Sequence, residues 1–144
     1  MTTVARILAD KGREIFTTQP HRTIKEVVEL LASKGVGAVV VADASMSVLG
    51  ILSERDVVRV IAKHGAPVLD DPVSRHMTPK VTTVTREDTI DHVMQTMTEG
   101  RFRHLPVVED GRLIGIVSIG DVVKRHVSAI DTERQALRTY IATA

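Results

Sequence analysis

Residues 50–58 read Gly-Ile-Leu-Ser-Glu-Arg-Asp-Val-Val, and residues 115–123 read Gly-Ile-Val-Ser-Ile-Gly-Asp-Val-Val. The two stretches share a glycine, a serine and an aspartate at the same spacing, with apolar residues between and after them. The likeness continues outward, since Thr23-Ile24 recurs as Thr89-Ile90 and residues 38–41 align with residues 104–107. Self-similarity at a fixed period indicates a repeated structural unit. The chain therefore contains two copies of one unit, 65 or 66 residues apart.

Each copy is predicted to fold as strand, helix, strand, strand and helix. Apolar residues recur at i, i+3, i+4 and i+7 from Ile24 and again from Ile90, which is the stripe of an amphipathic helix. Two β-branched runs separated by a polar turn follow in each copy, and this predicts a hairpin. The closing helices are expected to begin near Glu54 and Ile119. The predicted strands are residues 15–18, 39–41, 48–52, 81–84, 105–108 and 113–117, with further helices over 4–9, 73–77 and 131–141.

This order predicts an α/β (α+β) protein with two β-α-β-β-α repeats that face each other as a pseudo-two-fold pair. One copy alone would leave the apolar faces of its helices and sheet exposed, whereas two copies can bury them together. We place the N-terminal helix and first repeat in residues 1–64, a turn-rich linker in 65–79, and the second repeat with the C-terminal helix in 80–144.

The composition is that of a globular domain with an aliphatic core: 43% hydrophobic, 26% charged and 2% aromatic residues, with a net charge of +1. The absence of cysteine removes disulfides, thiolate metal ligands and thiol nucleophiles. The six histidines lack the paired spacing of zinc sites, so no metal is expected. Few aromatics argue against nucleic-acid binding, and no apolar run could cross a membrane. We expect a cytoplasmic protein that is not an enzyme, because no acid–base pair is assembled.

The repeated Gly-apolar-x-Ser-x-x-Asp heptapeptide resembles the signature of the CBS-domain family, named after cystathionine β-synthase. It lies at residues 50–56 and 115–121, at the last strand-to-helix junction of each copy, and the resemblance extends over about residues 4–128. The resemblance implies a pair of CBS domains with two clefts that take AMP, ADP, ATP or, as alternatives, NAD or S-adenosylmethionine. It also implies a homodimer, and a regulatory role in which a bound adenine nucleotide alters a surface read in trans by an unknown protein target.

By this resemblance, Asp56 and Asp121 would accept hydrogen bonds from ribose hydroxyls, and Ser53 and Ser118 would contact a phosphate. The chemistry of these residues fits those roles, because one carboxylate can accept from both vicinal hydroxyls and a helix N-terminus favours an anion. Adenine would lie between the strand over residues 81–84 and the middle strand of the second copy. The candidate binding residues are Ser53, Arg55, Asp56, Thr82, Thr83, Arg103, His104, Pro106, Ser118 and Asp121.

Two alternatives accompany this interpretation. Ser-x-x-Asp at a helix start is also a capping arrangement, so the motif can serve structure alone. The chain could then be a structural or homodimerisation module whose clefts stay empty. If a nucleotide binds, the second copy is favoured as its site, because Gly120 admits a ligand close to the helix whereas Glu54 would repel a phosphate.

Overall fold

The computed structural model describes residues 2–12 and 15–143, without the side chain of Thr143. It confirms the predicted α/β class. The helices are α1 Val4–Lys11, α2 Ile24–Lys34, α3 Glu54–His64, α4 Val73–His76, α5 Ile90–Gly100 and α6 Ile119–Thr143, and a 3₁₀ helix spans Ala66–Asp70. The strands are β1 Thr17–Thr18, β2 Ala38–Ala42, β3 Val48–Ser53, β4 His104–Glu109 and β5 Arg112–Ser118.

The first copy packs α2 and α3 on a three-stranded sheet in which β1 runs parallel and β3 antiparallel to β2. Thr23 caps α2 by accepting a hydrogen bond from the Glu26 N–H at 3.1 Å. Gly35 ends the helix in the left-handed conformation, with a φ of 64°, which glycine adopts without a steric penalty. The stripe of α2 residues predicted from the sequence, Ile24, Val27 and Leu31, is buried with β2 and β3 in one aliphatic cluster.

The second copy repeats this arrangement, except at its first strand. The strand predicted over residues 81–84 is reduced to Val84, which forms an isolated parallel bridge to Val107. The preceding chain is already engaged, because Thr78 exchanges backbone hydrogen bonds of 3.1 and 2.9 Å with Ile51 in the first copy. Residues 79–83 therefore cross from one sheet to the other, and this crossing keeps them out of the ladder of either sheet.

The segments that precede each copy pack against the other copy. Val4 and Ile7 of α1 are buried in the hydrophobic cluster of the second copy, while Val73 of α4 is buried in that of the first. Matching backbone hydrogen bonds mark the exchange: Ile24 N–H donates to Asp71 at 3.0 Å, and Ile90 N–H donates to the carbonyl of Thr2 at 3.1 Å. This crossing joins the two copies into one unit, since each core is completed by a helix from elsewhere in the chain.

The C-terminal helix differs from its prediction. A separate helix over residues 131–141 was expected, but the closing helix of the second copy continues without a break as α6, a single helix of 25 residues. No glycine or proline follows Gly120 in the sequence, so nothing in the chain stops a helix that has begun at Ile119.

Candidate functional site

An open cleft with a volume of about 480 Å³ lies between the two copies. The first copy contributes the end of β3 and the first turn of α3. The second copy contributes part of the crossing segment, residues 80–82, together with the beginnings of β4 and α6. Small-molecule sites typically enclose roughly 300–1,000 Å³, so this cleft has room for a nucleotide-sized ligand. We call it the first cleft, because the Ser-x-x-Asp motif of the first copy lines it.

Asp56 is fixed at the edge of the first cleft by a capping box at the start of α3. Its Oδ2 accepts from the Ser53 N–H at 2.8 Å and from the Ser53 hydroxyl at 2.9 Å. The Ser53 hydroxyl in turn accepts from the Asp56 N–H at 3.2 Å. The other oxygen, Oδ1, lies 3.5 Å from Nη1 of Arg59, whose side chain is 75% exposed. One carboxylate oxygen is thus committed to the cap, while the other meets an exposed surface cation that a ligand can displace.

The charges around the first cleft favour an anion. Two acidic residues, Glu54 and Asp56, are outnumbered by the basic residues Arg55, Arg59, Lys80, Arg101 and Arg103. The α3 N-terminus adds a partial positive charge. Arg55 and Arg59 follow from helical spacing, whereas Lys80 and Arg103 are brought to the cleft from separate segments of the second copy. A phosphorylated ligand would find several charge-assisted donors here.

His104 lies where the two copies meet. A Cβ atom at Gly37 would be 3.2 Å from Nε2 of His104 and 3.5 Å from Oε1 of Glu54, so glycine is what allows this close approach. Burial lowers the pKa of His104, and the positive charges of Lys11 and Arg103 lower it further, against the opposing effects of Glu54 and Asp121. The lowered pKa favours the neutral form of this imidazole at the wall of the cleft.

The Ser-x-x-Asp motif of the second copy has the same local geometry but a different neighbour. Oδ2 of Asp121 accepts from the Ser118 N–H at 2.9 Å, and the Ser118 hydroxyl accepts from the Asp121 N–H at 3.1 Å. Nζ of Lys11, at the end of α1, donates to the same Oδ2 at 2.8 Å and to the Ile116 carbonyl at 2.9 Å. Burial alone would raise the pKa of Asp121, but the hydrogen bonds from Lys11 and Ser118 outweigh it and hold that pKa below its ordinary value.

Two further contacts hold α1 over this second motif. A Cβ atom at Gly115 would lie only 2.6 Å from Cδ2 of Leu8, so β5 and α1 are in close contact. Asp10 forms an ion pair with Arg125 of α6 at 2.8 Å. The corresponding glycine of the first copy, Gly50, instead faces Met77 at the end of α4. We use the name second cleft for the side of the second motif that carries Asp121, where α1 supplies the cation paired with the carboxylate. Ser118 and Gly120 of the same motif line the first cleft.

The structure distributes the candidate residues over four places. Ser53, Arg55, Asp56, Thr82, Arg103, His104 and Ser118 line the first cleft. Asp121 is paired with Lys11 in the second cleft. Thr83 is exposed on the crossing segment, and Pro106 is buried within β4, where its carbonyl accepts from the Val84 N–H at 3.0 Å.

The sequence analysis did not single out Lys11, Arg59 or Lys80. Arg59 could have been found as the residue one turn beyond Arg55 on the predicted closing helix. Lys80 directly follows Thr78-Pro79, a position that only the crossing of the chain between sheets makes part of the cleft. No sequence signal places Lys11 beside Asp121, because 110 residues separate the two.

The two repeats with a cleft between them define a pair of domains, and comparison with known proteins gives its family. The family described as CBS domain matches residues 5–63 and 73–128. The chain therefore belongs to the CBS-domain family, as the resemblance of its heptapeptides implied.

Individual relatives agree with this assignment. The CBS domain-containing protein CBSX3, mitochondrial, of Arabidopsis thaliana is 36% identical over 97% of this chain and 72% of its own length. The crystal structure of a CBS-domain containing protein from Agrobacterium tumefaciens is 48% identical, with a TM-score of 0.83 over 87% of this chain and 99% of that one. The crystal structure of CBSX2 in complex with AMP is 26% identical, with a TM-score of 0.76 over 90% of this chain and 98% of that one.

Among residues 2–12 and 15–143, no helix has both the length and the apolar composition that crossing a bilayer requires.

Proposed function

We propose that this protein is a regulatory module that binds an adenine nucleotide in the first cleft. The observation that carries the proposal is the Asp56 carboxylate, which is held by a capping box at the rim of an open cleft whose charged side chains are mostly basic. The complex of the related CBSX2 with AMP supports an adenosyl ligand. AMP, ADP or ATP is the ligand expected here, with NAD and S-adenosylmethionine as the alternatives.

Each part of the nucleotide has a matching group. The free oxygen of Asp56 would accept hydrogen bonds from the ribose hydroxyls, and charge-assisted bonds of this kind contribute roughly 1.5–3 kcal/mol each. The phosphate would lie near the α3 N-terminus, with Arg55 and Arg103 as donors; Ser53 would donate to it only if its hydroxyl turned away from Asp56. The base would lie beside Thr82 and His104, because these residues line the part of the cleft contributed by the second copy.

The first cleft replaces the second as the favoured site. Sequence reasoning preferred Ser118 and Asp121, since Glu54 lies in the first cleft and is unfavourable to a phosphate. However, five basic residues line the first cleft, and they outnumber its two carboxylates, Glu54 and Asp56. In the second cleft a ligand would first have to displace Lys11 from Asp121. The balance of charge therefore supports the first cleft.

Regulation would act in trans, through an unknown protein target and a homodimer. The apolar residues Val58, Ile119 and Val123 are exposed on helices, by 68%, 45% and 46%, and could pack against a second chain of this protein. A nucleotide can shift such a module between two states only if it binds one state more tightly than the other. Because the walls of the first cleft come from both repeats, a bound nucleotide would favour the state in which the two repeats are packed around it. We propose no catalytic activity, and a cytoplasmic location stays a prediction from composition.

The test is a thermal-unfolding screen of nucleotide-free protein against AMP, ADP, ATP, NAD and S-adenosylmethionine. Ligand at about a hundred times its dissociation constant adds roughly 2.7 kcal/mol for one site. For a domain of this size, that corresponds to a rise of about 5–10 °C in melting temperature. A rise with one of these compounds would identify the ligand. If none of them raises the melting temperature, the nucleotide proposal fails and the homodimerisation module with empty clefts takes its place.

A further inference from the structure

The second half of α6 projects beyond the domain pair. Every residue from 127 to 142 is exposed, and the match to the CBS domain ends at residue 128. At 1.5 Å per residue, these residues form a helical arm about 24 Å long. A helix of this length is only marginally stable alone in water, and helices in proteins are stabilised mostly by packing an apolar face. The first turns of the arm border the body of the protein, where Ala129, Ile130 and Glu133 line a surface pocket with Thr2 and residues 89–91. No residue of the arm belongs to a hydrophobic cluster of the described chain, so its apolar face is open to a partner.

One face of the arm carries apolar residues at alternating spacings of four and three. We call this face the α6 seam; it consists of Val123, Val127, Ile130, Arg134, Leu137 and Ile141. These are the a and d positions of a heptad repeat, with Val127 at a and Ile130 at d. Its apolar members are well exposed, from 37% for Ile130 to 66% for Ile141. Such spacing is the pattern of a two-helix contact and differs from the wider stripe of a helix lying on a sheet.

The residues beside the α6 seam indicate what covers it. The g positions hold His126 and Glu133, and the e positions five residues further on hold Asp131 and Arg138. In a parallel pair of helices, a g residue faces the e residue of the next heptad on its partner, and these pairs set partner choice and orientation. Glu133 would then face the partner's Arg138 twice in a symmetric dimer. His126 would face the partner's Asp131, which creates no like-charge contact.

We propose that the α6 seams of two copies of this chain join as a parallel, in-register, two-stranded coiled coil. Arg134, the one charged member of the seam, occupies an a position, where a polar residue costs stability but favours one register and oligomeric state. The proposal shares the homodimer with the proposed function and does not depend on nucleotide binding.

Cysteine cross-linking of the full chain tests the orientation, because the chain has no cysteine of its own. Ile130→Cys and Leu137→Cys are prepared separately and treated with a short bis-maleimide, with Gln135→Cys on the outward face as the matched control. A parallel, in-register pair brings the introduced thiol of each seam variant against its own counterpart in the second copy. An antiparallel crossing can bring only one of these two positions against itself. Efficient dimer formation at both seam positions, with little at the control, is the expected result.

A charge-reversal series tests the partner choice by sedimentation equilibrium. Glu133→Arg and Arg138→Glu should each raise the dimer dissociation constant several-fold, and the double variant should restore it, because the opposite-charge pairs reform. Circular dichroism checks that each variant keeps its melting temperature. The seam is overturned if only one seam position cross-links, if the control cross-links equally, or if the double variant stays as weak as the singles. A dimer that persists without seam cross-linking would overturn the seam alone and leave the domain-face dimer of the proposed function standing.

Discussion

The first and second clefts carry the same Ser-x-x-Asp motif and differ in what faces it. The serine N–H reaches the aspartate Oδ2 at 2.8 Å in the first copy and at 2.9 Å in the second. Beyond that shared cap, Asp56 faces an open basic cleft, whereas Asp121 faces Lys11. The difference arises because each motif lies beside the chain segment that precedes the other copy. That segment is the one ending at Thr78 for the first motif and α1 for the second. At the first cleft the backbone N–H of Thr78 donates to the Ile51 carbonyl, while at the second the Lys11 ammonium donates to the equivalent carbonyl of Ile116.

The largest expected effect is on nucleotide affinity. Asp56→Ala should weaken binding of the nucleotide identified by thermal screening by about 10–100-fold, because it removes the charge-assisted acceptor for the ribose. Asp121→Ala is the matched control and should leave the affinity within about threefold, since its carboxylate is held by Lys11 outside the first cleft. Isothermal titration calorimetry measures both. If Asp121→Ala abolishes binding while Asp56→Ala retains it, the ligand lies in the second cleft.

The close contact of α1 with the second cleft predicts a loss of stability. Gly115→Ala should lower the free energy of unfolding by about 1–2 kcal/mol, because the new methyl group must push Leu8 aside. Gly120→Ala is the control from the same copy, since the nearest atom to its Cβ would be 3.6 Å away, and it should be neutral or slightly stabilising. Urea unfolding gives these values. The explanation predicts that Leu8→Ala partly relieves the cost of Gly115→Ala, and strictly additive effects would contradict it.

Removing the lysine from the second cleft should make the two clefts more alike. Lys11→Met frees the Asp121 carboxylate, so a second, weaker nucleotide site is expected and the calorimetric stoichiometry should rise from one per chain towards two. The ion pair is partly exposed, which limits its strength to about 1 kcal/mol. Arg6→Met, on the same helix and paired with the exposed Asp10, is the control. An unchanged stoichiometry in Lys11→Met would show that α1 closes the second cleft by packing alone.

The smallest expected effect is on the pH dependence of stability. Because the pKa of His104 is lowered in the folded protein, the unfolded chain binds more protons as the pH falls through about 6.5, and the folded state loses stability there. In nucleotide-free protein, His104→Gln should reduce the loss of unfolding free energy between about pH 7.5 and 5.5. Replacement of the exposed His21 by Gln supplies the control for the loss of one histidine elsewhere on the surface. An equal slope in wild type and His104→Gln would contradict the lowered pKa of His104.

Local patterns predicted most of the fold. The apolar stripes beginning at Ile24 and Ile90, the hairpins and the helix starts at Glu54 and Ile119 were all visible in the sequence. These features depend on periodicity and capping, which act over a few residues. The strand prediction for residues 81–83 was wrong, because contacts with residues far away in the sequence set the conformation there. Residues 81–83 have strand-like composition, yet the crossing from Thr78 to Val84 keeps them out of both sheets.

In the site, too, the sequence indicated the locally determined features and missed those that depend on distant residues. Sequence analysis named Ser53, Asp56, Arg55, Arg103 and His104, which the structure brings together around the first cleft. It favoured the second copy by comparing Gly120 with Glu54, a comparison confined to adjacent residues. The neighbour that sets the second cleft apart is Lys11, which lies 110 residues from Asp121 and has no local signal. Whether the nucleotide follows this asymmetry stays a prediction for the variants above.

By itself, the sequence determined the repeat, the family and the capped carboxylate at the start of each closing helix, because a motif and its helix form within one turn of chain. Only the tertiary structure decided which carboxylate faces an open cleft and which faces an ammonium group. Both depend on the exchange of α1 and α4 between the copies. That exchange is settled by the burial of Val4, Ile7 and Val73 in cores far from them in sequence, and burial is a property of the assembled fold.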